Sequence, residues 1–131
     1  MRVLLAEDDL ASRLVIQKYL SRYGECDIAV DGLEALDAFL KAIKDEQPYD
    51  LVCLDIMMPK LDGMKALKAI RDIEKQKGIT EEERVKIIMI TALNDEKTVM
   101  EAYDLGCQGY AWKPVDLKKL EQVLRCLGLI E

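Results

Sequence analysis

The chain has 131 residues, half of them apolar, and a formal net charge of −6. A chain of this length fits one domain with a sizeable core, and its acidic balance argues against binding to a nucleic-acid backbone. The lack of histidine excludes Ser-His and Cys-His nucleophile pairs and the usual zinc sites.

The amino-terminal residues give a first indication of location. Residues 3–6 are apolar, and an acidic triplet follows them directly, which is too short a run for a signal peptide. No later run is long enough to span a membrane. We therefore expect a cytoplasmic protein that contacts neither membrane nor nucleic acid directly.

Short apolar runs alternate with longer segments of helical periodicity, which predicts repeated strand–helix units around a parallel sheet. The elements predicted for the first half are a strand at 3–6, a helix from about Asp9 to Tyr23, a strand at 26–30, a helix with Leu33, Leu36, Phe39, Leu40 and Ile43 on one face, and a strand at 51–55. Those predicted for the second half are a helix with Met64, Leu67, Ile70 and Ile73 facing inward, a strand at 87–91, a helix from about Asp95 to Leu105, a strand at 109–113, and a last helix capped by Asp116. We expect one domain over 1–131, with no effector domain.

Polar residues stand where four of the predicted strands end. They are Glu7-Asp8-Asp9, Asp55, Thr91 and Lys113-Pro114. The carboxyl ends of parallel strands form the binding crevice of such a sheet, so these side chains are expected to share one site. Clustered carboxylates raise one another's pKa unless a cation intervenes, and their hard oxygen atoms suit Mg²⁺ or Mn²⁺.

Each of these residues also has a purely structural interpretation. Adjacent acids after a strand are typical of a helix N-cap and first turn, and a single Asp often forms a turn. Thr91 is a common strand residue, and Lys-Pro is an ordinary loop dipeptide. Their joint occurrence at the ends of four strands favours a functional site.

The sequence resembles the response-regulator receiver domain over essentially its whole length. The matching residues are Asp8-Asp9, Asp55 followed by 56–59 and the turn Asp62-Gly63, Thr91-Ala92, and Tyr110 before Lys113-Pro114. The resemblance implies a flavodoxin-like α/β fold, a doubly wound five-stranded parallel sheet in the order 2-1-3-4-5 with helices on both faces. It also implies a cis peptide bond between Lys113 and Pro114.

The resemblance further implies the chemistry of the site. Asp55 would form an acylphosphate, taking the phosphoryl group from a phosphohistidine of a sensor histidine kinase or a histidine phosphotransfer protein. Asp9 and Asp55 would bind Mg²⁺ or Mn²⁺ directly, Asp8 would bind it through water, and the backbone carbonyl of Met57 would complete the protein ligands. Glu7 has no assigned role, because this position varies in the family.

The remaining expected roles concern the bound phosphoryl group and the signal. Lys113 and the Thr91 hydroxyl would each interact with a phosphoryl oxygen, since phosphoryl transfer depends mainly on positioning and charge neutralisation. Movement of Thr91 would let Tyr110 rotate inward and alter the surface of helix 4, strand 5 and helix 5. A downstream protein target would read that surface, and the chain would be a monomer or a weak dimer.

Other functions remain possible at this point. A Mg²⁺-dependent phosphatase with an aspartate nucleophile would use similar residues, but the acids here are adjacent rather than spaced as D-x-D, and there is no room for a cap domain. A flavin-binding module would need a phosphate loop after strand one, and a phospho-independent module would lack a key residue. We expect a regulatory phosphoacceptor rather than an enzyme, with its output open between target binding, a phosphorelay step and a phosphate sink.

Overall fold

The computed structural model describes residues 1–131 and contains five strands and five helices that alternate along the chain. The strands are β1 Arg2–Ala6, β2 Glu25–Ala29, β3 Leu51–Leu54, β4 Lys86–Thr91 and β5 Gly109–Trp112. The helices are α1 Leu10–Leu20, α2 Gly32–Lys44, α3 Gly63–Gln76, α4 Glu96–Leu105 and α5 Leu117–Cys126. The predicted elements are confirmed, although α1 ends at Leu20 rather than near Tyr23. No helix combines the length and the apolar character that crossing a bilayer would require.

The five strands form one parallel sheet in the order β2-β1-β3-β4-β5, which confirms the predicted topology. Residues of α2, α3 and α4 pack on one face of the sheet, and residues of α1 and α5 pack on the other. In the register between β1 and β3, Ala6 lies opposite Leu54. The residues that follow these two strands therefore emerge side by side at the carboxyl edge of the sheet.

Each helix begins directly after an aspartate whose carboxylate accepts a hydrogen bond from a backbone N–H of the first turn. The five capping residues are Asp9, Asp31, Asp62, Asp95 and Asp116. Such caps satisfy donors that have no partner within the helix. Because every helix follows a strand, the caps also fix how the chain turns at the carboxyl edge.

The buried residues of α2 form only part of the apolar face that the sequence predicts. Leu33 and Leu40 are 49% and 40% exposed, whereas the buried residues of α2 are mostly small: Gly32, Ala35, Phe39 and Ala42. A Cβ atom on Gly32 would lie 2.0 Å from the carbonyl oxygen of Leu61. The helix therefore approaches its neighbours through small residues, and Leu33 and Leu40 form the exposed part of the predicted apolar face.

Candidate functional site

The carboxyl edge of the sheet brings together residues from three strand ends. The backbone N–H of Asp55 donates to the carbonyl of Ala6 at 3.0 Å, and that of Lys113 donates to the carbonyl of Thr91 at 2.9 Å. These bonds continue the strand ladders by one residue, so both side chains are held by the sheet rather than by a free loop. The structure thus places the predicted residues Asp55, Thr91 and Lys113 at one edge.

The Lys113 ammonium is the positive centre of this site. Its Nζ lies 2.7 Å from Oδ2 of Asp55 and 2.5 Å from Oε1 of Glu7. Burial lowers the pKa of Lys113, but the hydrogen bonds and charges of Asp55 and Glu7 outweigh it, so the pKa is raised above its usual value. Lys113 therefore stays charged while it bridges two carboxylates.

Glu7 is the site residue that has no role assigned from sequence alone. It follows the fully buried end of β1 and is itself buried. Burial raises the pKa of Glu7 to about 7, with Asp55 adding to the rise, although the Lys113 hydrogen bond opposes it. Its position one residue after a strand that is apolar on both faces was the signal that could have identified it.

This raised pKa predicts how the metal-free protein responds to pH. A carboxyl group whose pKa is higher in the folded state stabilises the fold below its unfolded pKa, near 4.5, and loses that contribution as pH rises through about 7. In chelator, the thermal unfolding midpoint should therefore fall between pH 5 and pH 8. Glu7→Gln should flatten this slope, and an equal slope in the variant would contradict the assignment.

Three carboxylates form the acidic cluster: Glu7, Asp8 and Asp55 each offer an oxygen atom within 4.8 Å of the other two. Asp9, expected to bind the metal directly, is not a member of this cluster. Its Oδ2 accepts a hydrogen bond at 2.9 Å from the backbone N–H of Ser12, because Asp9 has the extended backbone of a helix N-cap. The acid that joins Asp8 and Asp55 in this cluster is Glu7, and direct binding of the metal by Asp9 stays a prediction.

The donor atoms of this cluster fit a hard divalent cation. Carboxylate oxygens are the ligands that Mg²⁺ and Mn²⁺ prefer, and Asp8 is exposed, which leaves room for coordinated water. The backbone N–H of Met57 donates to Oδ1 of Asp55 at 3.1 Å, so the Met57 backbone lies beside the cluster. Binding of the metal by the Met57 carbonyl stays a prediction.

A close backbone contact holds the loop after Asp55 in place. A Cβ atom on Gly63 would lie 2.1 Å from the carbonyl oxygen of Asp55, so only glycine fits there. The Gly63 N–H also donates to the carbonyl of Ile56 at 2.8 Å. The turn Asp62-Gly63 therefore folds the loop back against the end of β3.

Thr91 and Tyr110 meet at the loop between β4 and α4. Thr91 is fully buried, and its hydroxyl accepts a hydrogen bond at 3.4 Å from the backbone N–H of Leu93. The Tyr110 hydroxyl donates to the carbonyl of the same residue, and its ring packs against the buried core. Leu93 thus connects the two predicted switch residues. The peptide bond between Lys113 and Pro114 is cis, as the resemblance implies.

The sequence has clear relatives. Residues 3–125 match the response regulator receiver domain family. The chain is 36% identical to the chemotaxis protein CheY of Treponema pallidum, over 96% of this chain and 82% of that protein. It is 32% identical to probable histidine kinase 2 of rice over 98% of this chain, but it spans only 13% of that kinase.

Solved structures show the same fold. The chain superposes with a TM-score of 0.81 on a chain of the CheX–CheY–BeF₃–Mg²⁺ complex of Borrelia burgdorferi, at 28% identity over 99% of this chain and 90% of that one. It superposes with a TM-score of 0.82 on a chain of the yeast complex of the phosphotransfer protein Ypd1 with the receiver domain of Ssk1, at 29% identity over 99% and 92%. The chain belongs to the response regulator receiver domain family.

Proposed function

We propose that Asp55 accepts a phosphoryl group from a phosphohistidine on a partner protein, and that the chain acts as a signalling switch. The observation that carries this proposal is the buried Asp55 carboxylate, held 2.7 Å from the Lys113 ammonium beside two further acids. A carboxylate oxygen would attack phosphorus while the bond from phosphorus to the donor imidazole breaks. The donor must lie on another protein because this chain has no histidine.

The side chains around Asp55 suit this transfer. The Met57 N–H and the Lys113 ammonium orient the two carboxylate oxygens of Asp55. Lys113 is also close enough to pair with an oxygen of the incoming phosphoryl group, and the Thr91 hydroxyl lies at the neighbouring strand end. Fixed donors of this kind stabilise developing negative charge without needing to reorganise.

We further propose a divalent cation, Mg²⁺ or Mn²⁺, held by the carboxylates of Asp8 and Asp55 and the carbonyl of Met57, with Glu7 beside it. Direct binding of the cation by Asp9, as the resemblance implies, is the alternative. When bound, the cation supplies charge neutralisation for the phosphoryl oxygens. The yeast structure pairs a receiver domain with a histidine phosphotransfer protein, and the Borrelia structure pairs CheY with Mg²⁺. These two complexes accord with the proposed cation and the proposed class of donor.

The two adjacent aspartates provide a direct test of the metal assignment. Asp8→Ala should abolish stabilisation by Mg²⁺ without lowering stability in chelator, because it removes a ligand and relieves repulsion with its neighbours. Asp9→Ala should keep stabilisation by Mg²⁺ but lower the thermal midpoint by several degrees, because it removes the N-cap of α1. Thermal unfolding with and without Mg²⁺ measures both, and the reverse pattern would restore Asp9 as the ligand.

An experiment with two kinds of phosphate donor tests the proposed function. A radiolabelled histidine phosphotransfer protein should pass one phosphoryl group to each chain. An unrelated phosphomonoester such as p-nitrophenyl phosphate should not be hydrolysed over many turnovers. Sustained turnover on the phosphomonoester without transfer from the phosphohistidine would favour the phosphatase alternative instead.

We propose that the signal leaves through the α4–β5–α5 face, meaning the exposed side of these three elements. Tyr110 lies in β5 and bonds to Leu93 in the loop after Thr91, so a change at Thr91 can alter this face through Leu93. The target would be a protein in the cytoplasm. Relay and phosphate-sink outputs use the same chemistry at Asp55 and remain alternatives.

A further inference from the structure

Helix α2 has an apolar stripe along its exposed side. Leu33 and Leu40 are exposed and are spaced as i and i+7, so they lie on the same side of the helix. Leu36 and Ile43 lie along the edge of this stripe, where they are half-buried against the core. A row of large apolar side chains along one helix, unlike single exposed leucines, is typical of a surface that packs against another helix.

The charges beside this stripe are divided along α2. The first half of the helix has two acids, Glu34 and Asp37, and the second half has two lysines, Lys41 and Lys44. All four side chains are exposed, and none forms a salt bridge within the chain. The helix is therefore acidic at one end and basic at the other, with both charges available to a partner.

A helix with this division of charge is complementary to a copy of itself that runs in the opposite direction. Antiparallel pairing would bring Glu34 of one copy near Lys41 of the other. It would also bring Asp37 near Lys44, with the exposed leucines of both copies between the charged rows. Parallel pairing in register would instead place like charges side by side, which is unfavourable.

We propose that two copies of this chain associate through their α2 helices, packed antiparallel about a two-fold axis. In such an isologous dimer each contact occurs twice. The inference goes beyond the proposed function, because it concerns a different surface. Helix α2 packs beside β1 and β2 at one end of the sheet, whereas the α4–β5–α5 face lies at the other end.

The dimer should be weak. Helix α2 has 13 residues and is about 20 Å long, so one pair of helices makes an interface below the usual size for stable complexes. The net charge of −6 on each chain also opposes association. Sedimentation of the wild type from about 10 µM to about 1 mM should therefore show a reversible monomer–dimer equilibrium, with a Kd on the order of 100 µM.

Matched substitutions test the position of the interface. Leu40→Glu places a charge in the apolar stripe and should weaken the dimer about tenfold or more. Leu14→Glu makes the same change at an exposed leucine of α1, and Met100→Glu adds a charge at an exposed methionine of α4. Both controls should dimerise as the wild type does. A dimer that either control dissociates and Leu40→Glu does not would overturn the proposal.

Charge reversals test the antiparallel arrangement. Asp37→Lys and Lys44→Glu should each weaken dimerisation about five- to tenfold, because each reversal sets like charges against one another twice in the symmetric dimer. An equimolar mixture of the two variants should form a heterodimer with an affinity close to that of the wild type. The double variant Asp37→Lys/Lys44→Glu should also recover, which parallel pairing does not predict. Failure of both the mixture and the double variant to recover would overturn the proposal.

A separate measurement distinguishes this proposal from the proposed function. Sedimentation uses unphosphorylated protein, so its result does not depend on Asp55. Labelling by acetyl phosphate, measured on the same preparations, tests Asp55 independently, and Leu40→Glu should be labelled at the wild-type rate. A wild type that stays monomeric up to about 1 mM but is labelled normally would overturn the dimer and leave the proposed function intact.

Discussion

Replacing Lys113 with methionine should slow phosphorylation of the protein by acetyl phosphate about 10²–10³-fold, the usual cost of losing one preorganised donor to developing charge. The ammonium of Lys113 contacts Asp55 directly and is mostly buried, so neither water nor another side chain replaces it. Methionine keeps the apolar part of the side chain as far as Cε and removes the ammonium group with its charge and N–H donors. The rate of label incorporation at saturating Mg²⁺ measures the effect.

A second lysine serves as the control for this change. Lys119→Met removes the same charge from α5, where the side chain is exposed and lies outside the cluster of acids. This variant should be labelled at close to the wild-type rate. If the labelling rate falls by the same factor in both variants, the effect comes from net charge, and Lys113 has no specific role at Asp55.

The phosphorylated protein should lose its phosphoryl group slowly, over minutes to hours. Hydrolysis needs a water molecule in line with the bond between the Asp55 oxygen and phosphorus, oriented by a polar group at the rim. The rim residues two positions after Asp55 and after Thr91 are Met57 and Leu93, and neither has an acid or an amide to orient water. Met57 is 61% exposed, so its apolar side chain lies at the mouth of the site.

Polar substitutions at the rim should therefore speed the decay. Met57→Asn or Leu93→Glu should shorten the lifetime by up to about 10²-fold, since orienting or acid–base help is worth about 10²–10⁴-fold where it is present. Met100 is also exposed but lies on α4, so Met100→Asn should leave the lifetime of the phosphorylated state unchanged. Complete decay of the wild type within seconds, or slower decay in the rim variants, would contradict this account.

The sheet and most of the site follow from the sequence because their signal is strong. Strands that are apolar on both faces must be buried, and buried parallel strands place their carboxyl ends at one edge. Asp55 and Thr91 follow or end such strands, and Lys113 follows the edge strand β5 of the same parallel sheet, so their proximity was predictable. Their individual roles rest on resemblance and chemistry, and they stay proposals.

The acidic triplet shows where this reasoning loses precision. Both Glu7-Asp8 and Asp8-Asp9 fit the adjacent acidic pair of the motif. A shift of the motif by one residue exchanges a side chain that enters the site for one that caps a helix. The relevant signal was local: Asp9 directly precedes Leu10, the first residue of α1, and the N–H of Ser12, three positions later, donates to the Asp9 carboxylate. N-cap geometry therefore gives Asp9 a role at the start of α1, and its binding of the metal stays a prediction.

Two other features depended on packing that the sequence pattern does not reveal. The buried face of α2 contains small residues such as Ala35 and Ala42. The pattern of large apolar residues therefore includes two leucines, Leu33 and Leu40, that are exposed. Glu74 stands at the start of a charged stretch but is buried, paired with Arg71 at 2.6 Å and bonded to the Val85 N–H at 2.8 Å. A charged residue of this kind is recognised only once its partners are in place.

The central claim is that Asp55 is the phosphorylated residue, and mass spectrometry tests it most directly. After incubation with acetyl phosphate and Mg²⁺, the wild-type chain should gain the mass of one phosphoryl group and lose it in hydroxylamine, as an acylphosphate does. Asp55→Asn should gain nothing, whereas Asp50→Asn, at an exposed aspartate before β3, should be labelled normally. Undiminished labelling of Asp55→Asn, or a phosphoryl group mapped to another residue of the wild type, would contradict the account.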